Sequence, residues 1–227
     1  MTSSTLSKRR SLSWEHLSSS LIPTGGIVLA FLVGALIIAI SGVSPLEAYK
    51  ALIVSAFGSL NGIAETFVKT TPLLLAGLGM AIAYRAGIIS IGAEGQLYMG
   101  ALGATFVGLF LGDLAPVIGI PLAITMGFIF GAFWGGIAAF LKVKFQANEI
   151  IVTIMLNHIA IQISNYLISG PWRDPEVTEP FTAIIAPGTQ LPIILPGTRL
   201  HGGFLLAVIA AVILWWVFRK TVFGYQI

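Results

Sequence analysis

Apolar residues in this chain gather in long blocks separated by short polar punctuation. Six blocks stand out, at about 22–41, 63–85, 96–112, 116–141, 149–168 and 203–219. Each is near the length of roughly 20 residues that lets a helix cross the hydrocarbon core of a bilayer. No water satisfies the backbone there, so spanning blocks of this kind must be helices. The pattern predicts an all-α polytopic membrane protein with about six transmembrane helices.

Two segments between the blocks are more than simple connections. In "SPLEAYKALIVSAFG", Ser44 sits as N-cap, Pro45 at the first helical position and Glu47 where it closes a capping box. The expectation is a helix over 45–57 lying in the outer interface. Residues 169–202 hold six prolines and are too polar and too broken to span. Loops this long tend to be functional or disordered. Within it, "GPWRDPEVTEP" sets Trp172 beside Arg173, with Arg199 further on. Aromatic and arginine side chains are favoured interface anchors, so these three are candidates for docking a partner.

Small residues recur every four positions in two blocks: Gly127, Gly131 and Gly135 in one, and Gly92, Gln96, Gly100, Ala104, Gly108 and Gly112 in the other. Such rows let membrane helices approach closely. The second row begins in "GIISIGAEGQLYMGALG" (87–103), where Gly87, Gly92 and Gly95 disfavour a continuous helix. Ser90 or Gly92 can cap a new one, and Glu94 falls in its first turn, where the helix dipole favours an acid. The segment near 87–96 therefore reads either as a cytoplasmic turn with a capping acid or as a helix break lining a polar cavity.

The block at 149–168 is the most informative. Asn148 is a good N-cap and Glu149 lies in the first turn. At 3.6 residues per turn, Thr153, Asn157, His158, Gln162, Ser164 and Asn165 fall within one half of the helical wheel. Polar groups are costly in lipid, so such a half faces a bundle interior or a watery cavity. Together with Gln96 these residues form the candidate solute pathway; interhelical hydrogen bonding is the competing explanation. Uncharged hydrogen-bonding groups suit a neutral, hydroxyl-rich solute.

Composition narrows the picture. Hydrophobic residues make up 56% of the 227 and charged residues only 9%, against about 25% charged in soluble domains. Mean hydropathy is +0.95; the bilayer is the solvent, and lipid the first partner. The net charge of +3 is spread thinly, which argues against a nucleic-acid footprint. Cysteine is absent, and no metal-ligand set, HExxH or GxSxG occurs, so neither catalytic nor metal-binding residues are expected. Secondary transport driven by an ion gradient stays open beside other transport classes, since broken helices and a central acid fit it too.

The basic residues orient the chain. With the N-terminus inside, Lys8, Arg9, Arg10, Arg85, Lys142, Lys144, Arg219 and Lys220 are cytoplasmic, and only Lys50, Lys69, Arg173 and Arg199 lie outside. "KRRSLSW" is faintly like a twin-arginine signal. The apolar block behind it is long enough to span, however, and the expectation is an uncleaved first helix after a cytoplasmic tail of residues 1–21.

"SIGAEGQLYMGALGA" resembles the NIGAEGQ signature of the nucleoside and simple-sugar ABC transporter permeases. The similarity continues in "ANEIIVTIMLNHIA" (147–160), "GPWRDP" (170–175) and the closing "TVFGYQI". One departure is Ser90, where the family usually has Asn. The resemblance implies a permease domain over 22–219, with a cytoplasmic coupling segment starting at 220–227. It further implies that the chain is the N-terminal part of a roughly ten-helix permease, expected to insert without transporting alone. Its implied partners are a cytoplasmic ATP-binding subunit, a second permease subunit and an extracytoplasmic substrate-binding lipoprotein. No G-x-x-x-x-G-K-[ST] stretch is present, so no cofactor is expected in this chain and ATP would be hydrolysed elsewhere.

Overall fold

The computed structural model describes residues 23–88, 90–111, 114–222 and 224. The tail with Lys8, Arg9 and Arg10, the expected Gly112 row position and residues 225–227 lie outside the described residues. Regular structure among the described residues is helical, apart from two isolated antiparallel bridges, Arg173 with Thr182 and Ile193 with His201. The helices are α1 Pro23–Ile40, then α2 Pro45–Phe57, α3 Leu60–Arg85, α4 Ala93–Phe110, α5 Pro116–Phe145, α6 Glu149–Ser169 and α7 Gly203–Lys220, with a 3-10 turn at Pro187–Thr189. Two compact units divide the chain, residues 1–63 and 64–227.

In the first unit the Tyr49 hydroxyl of α2 donates to the Phe31 carbonyl of α1 at 2.6 Å, and the two rings meet edge-on at 5.6 Å. Gly34 leaves room for that hydroxyl, which lies 3.0 Å from where a Cβ would stand. Helix α2 has the expected bounds, with Pro45 at its first position. The capping box does not form: Ser44 occupies the N-cap in extended conformation without a side-chain cap bond. Pro45 has already removed one of the orphan N–H groups a cap would serve.

The second unit packs by small residues. Its buried hydrophobic set is Ala64, Leu102, Val107, Ala123, Trp134, Ala160 and Ala207, while many Leu, Ile, Val and Phe side chains remain exposed. That inversion is what lipid as solvent demands, since close backbone approach rather than apolar burial holds membrane helices together. Helices α3 and α7 run parallel: Phe67 stacks on Phe204 at 4.8 Å near their starts, and the Arg85 guanidinium lies 4.5 Å over the Phe218 ring at their ends. Helix α4 is sheathed by α5 and α6.

Among the described residues five helices, α1, α3, α5, α6 and α7, are long and apolar enough to cross a membrane. The expected count was six. The difference is α4, whose 18 residues reach about 27 Å but begin with Glu94 and Gln96. Three ends also moved by three residues or more, the first being α3, which begins at Leu60 rather than 63. Helix α4 begins at Ala93 rather than 96, capped by Gly92, and α5 continues four residues past 141 to Phe145. Lys142 and Lys144 favour that extension from the last turn, and Gln146 ends it in the left-handed conformation, φ 53°.

Candidate functional site

The segment between α3 and α4 is a true break. Gly87 adopts φ +73°, a conformation that turns the chain out of α3 and favours glycine. Ser90 follows, its Oγ accepting from the Gly92 N–H at 3.3 Å. Glu94 lies in the first turn of α4 as expected, and it is exposed.

Asn157 of α6 holds the break together. Its Nδ2 donates to the Ile91 carbonyl and its Oδ1 accepts from the Gly95 N–H, both at 2.9 Å. One buried amide thus ties the residue before the α4 cap to the residues just after it. Gly92 and Gly95 serve this approach more than they serve flexibility. A Cβ on Gly92 would sit 3.1 Å from Thr153 Cγ2, and one on Gly95 would sit 2.7 Å from Asn157 Oδ1.

The two glycine rows seen in the sequence face each other. A Cβ on Gly100 would lie 3.0 Å from the Gly127 carbonyl oxygen, and one on Gly127 would lie 3.1 Å from that of Gly100. Gly131 sits over the Gln96 carbonyl, and Gly135 leaves the space taken by the Gln96 side chain, 2.9 Å from its Nε2. Further along α4, Gly108 leaves room for Ile185 and Thr189, whose turn packs on it.

Two hollows open beside this crossing. One of about 490 Å³ lies between α3 and α4, bounded by Pro72, Ala76, Met80 and Leu97 among others. A second of about 560 Å³ reaches from Gly135 and Thr153 to the α5–α6 corner, with Lys142 and Glu149 on its wall. Both are within the size of ordinary ligand pockets. They share Ala83, Ser90 and Gln96. Gln96 is half-buried, and among the described residues its side-chain amide has no hydrogen-bond partner.

The polar half of α6 divides into two. Thr153, Asn157 and Ser164 form one buried stripe with Ala160. Thr153 and Ser164 spend their hydroxyls on carbonyls of their own helix, as Ser and Thr often do. His158, Gln162 and Asn165 are exposed on the far side, where Asn165 donates to Gln162 at 3.3 Å and a hollow of about 400 Å³ contains His158 and Gln162.

The outer loop residues are engaged locally. Trp172 packs on Phe106 and Phe110 of α4, with ring centroids at 6.4 and 6.1 Å. Arg173 donates to the Thr178 and Val177 carbonyls, closing its own loop. Arg199 pairs with Glu65 of α3 at 3.5 Å. Two features escaped the sequence reading. The indole N–H of buried Trp134 lies 3.1 Å from the Gly95 Cβ position and has no partner among the described residues. Lys142 and Glu149 form an ion pair across the α5–α6 corner. Trp134 could have been noticed beside Gly135 on the small-residue face.

The chain is 37% identical to a guanosine ABC transporter permease protein, NupP, of Bacillus subtilis (strain 168), over 94% of this chain and 62% of that protein. It is 33% identical to a glucose ABC transporter permease protein, TsgB13, of Haloferax volcanii, over 90% and 56%. It is also 33% identical to a nucleoside ABC transporter permease protein, NupB, of Lactococcus lactis subsp. cremoris (strain MG1363), over 91% and 59%. The chain spans about three-fifths of the length of these curated relatives. No solved structure matches it. The family described as the permease component of the branched-chain amino acid transport system matches residues 62–227, most of the chain and all but the first few residues of the helices around the break. The chain belongs to that permease-component family.

Proposed function

We propose that this chain is a membrane-spanning permease subunit of an ATP-binding-cassette importer, a transport subunit rather than an enzyme, that moves a neutral hydroxyl-rich solute. A nucleoside or a simple sugar is the solute we favour, in keeping with what the names of its relatives say of those proteins. The observation that carries the reading is Gln96, a half-buried amide without a partner among the described residues, placed where two hollows meet. An amide both donates and accepts, as a hydroxyl-rich solute requires. The partners in this reading are a cytoplasmic ATP-binding subunit, a second permease subunit and a substrate-binding lipoprotein outside. Thr153, Asn157, His158, Gln162, Ser164 and Asn165 extend the pathway or brace it, and Trp172, Arg173 and Arg199 belong to the loop offered to the lipoprotein.

Uptake of labelled guanosine or glucose into vesicles carrying these residues within a permease of the relatives' full length, together with these partners, is expected to follow ATP. Uptake that follows a proton or sodium gradient without ATP would move the chain to the secondary-transporter class. Gln96→Leu should lower uptake by on the order of tenfold, the worth of one solute hydrogen bond of about 1.4 kcal/mol, with the amount in the membrane unchanged. Gly135→Ala should act in the same direction more gently, because its methyl displaces the flexible end of Gln96 rather than backbone. Unaltered kinetics in Gln96→Leu would remove the pathway from this position.

In the same reading the loop at 170–202 lies outside the cell and the α5–α6 corner inside. Because the chain has no cysteine, Thr178→Cys can be probed with an impermeant thiol reagent in intact cells. Labelling is expected there and protection at Lys144→Cys; the reverse result would invert the topology.

A further inference from the structure

We infer that the Lys142–Glu149 ion pair sets the charge selectivity of the larger hollow, holding its wall at zero net charge so that uncharged solutes enter and ions of either sign are disfavoured. The inference rests on the permease reading and names how its solute class is chosen. Among the described residues, Lys142 and Glu149 are the only ionisable ones lining that hollow. Glu149 has 16% side-chain exposure and Lys142 43%, both partly buried. From this wall the hollow runs to Ser90, Gln96 and Thr153, all uncharged.

The pair is held in place by the fold on both sides. Lys142 stands in the last turn of α5 and Glu149 in the first turn of α6, so each charge also complements its own helix end. The corner between them has three residues. Gln146 takes the left-handed conformation, and Asn148 caps α6 by accepting from the Ile150 and Ile151 N–H groups at 3.0 and 3.4 Å. A charge on the wall of a hollow with low-dielectric sides projects strongly into it, and an adjacent opposite charge cancels most of that field. Removing one partner should therefore convert a neutral hollow into one that gathers ions of a single sign. A nucleoside or sugar, carrying no charge, is indifferent to the change, whereas a phosphorylated form is not.

The cysteine-free chain permits a direct reading of that field. A single thiol is introduced as Ser90→Cys in protein held in lipid discs, where both membrane faces are accessible. Its modification rates by an anionic and a cationic methanethiosulfonate give an anion-to-cation ratio. Glu149→Gln should raise the ratio about tenfold and Lys142→Gln should lower it about tenfold, the scale of one partly screened charge acting across such a hollow. The exchanged pair, Lys142→Glu with Glu149→Lys, and the doubly neutral Lys142→Gln with Glu149→Gln should both keep the native ratio, which separates charge from misfolding. A thiol at Thr178→Cys, in the loop beyond the far end of α6, should not respond to any of these changes. A ratio that stays at its native value when either charge is neutralised would overturn the inference, as would a thiol at position 90 inert to both reagents. ATP-driven uptake alongside an unmoved ratio would remove the role of the pair and leave the permease reading standing. A shifted ratio beside no uptake by a permease of the relatives' full length that carries these residues would uphold the charge balance and count against the permease reading instead.

Discussion

Asn157→Leu should destabilise the helical unit by about 1–3 kcal/mol for the buried backbone group it leaves unpaired, plus a smaller amount for a part-buried one. The groups are the Gly95 N–H and the Ile91 carbonyl, and the side-chain amide reaches both at 2.9 Å. Leucine has nearly the shape of asparagine, so little of the loss comes from packing. Water cannot take over within a membrane bundle as it would on a surface. Asn157→Asp separates the two bonds: its carboxylate still accepts from Gly95, but it has no N–H for Ile91 and sets an anion against a carbonyl. The expected order of thermal stability in detergent is native, then aspartate, then leucine, with faster tryptic cleavage after Arg85 in both variants. If Asn157→Leu kept native stability and lost only uptake, Asn157 would be a solute ligand and the clamp would be an accident of packing.

That clamp illustrates what the sequence could and could not say. The composition of α6 announced a polar half, and Asn148 announced its start, because an N-cap is a local device read from neighbouring residues. Which side of the polar half meets another helix is a tertiary fact. Thr153, Asn157 and Ser164 turn inward and His158, Gln162 and Asn165 outward, although all six share one arc of the wheel. The glycine rows were legible as rows, while their pairing, Gly100 on Gly127 and Gly135 beside Gln96, depends on how α4 crosses α5. The bounds of α2 were legible for the same local reason as the α6 cap, Pro45 being fixed at a helix start. Helix α4 falls short of the apolar measure because hydropathy judges a helix by its contact with lipid. A helix sheathed by α5 and α6 can carry Glu94 and Gln96 at its start and still lie within the bundle. The resemblance in "SIGAEGQ" pointed to the permease family that the comparison of residues 62–227 shows. The residues of the candidate pathway are a separate matter, to be settled by uptake and labelling.

Gly103→Ala should cost about 1–3 kcal/mol, the range for one methyl forced into a packed core, even though alanine is the better helix former by up to about 1 kcal/mol. The added carbon would stand 2.8 Å from the Met126 carbonyl oxygen and 2.8 Å from Phe130 Cγ. The first is backbone inside α5 and cannot swing aside. The second is the root of a ring wedged in the same crossing. Relief requires α4 and α5 to separate, which would also loosen Gly100 from Gly127 and move Gln96 away from the Gly135 notch. Gly136 is the control on the same helix pair: nothing lies within 4 Å of its Cβ position, so Gly136→Ala should be neutral or stabilising by up to about 1 kcal/mol. Melting both variants in the same detergent removes differences of environment, and the comparison turns on sign. A destabilised Gly103→Ala beside an unharmed Gly136→Ala means the crossing is held by backbone contact. Equal melting temperatures would mean the helices slide freely enough to absorb a methyl, and the tight α4–α5 crossing on which the position of Gln96 depends would have to be given up.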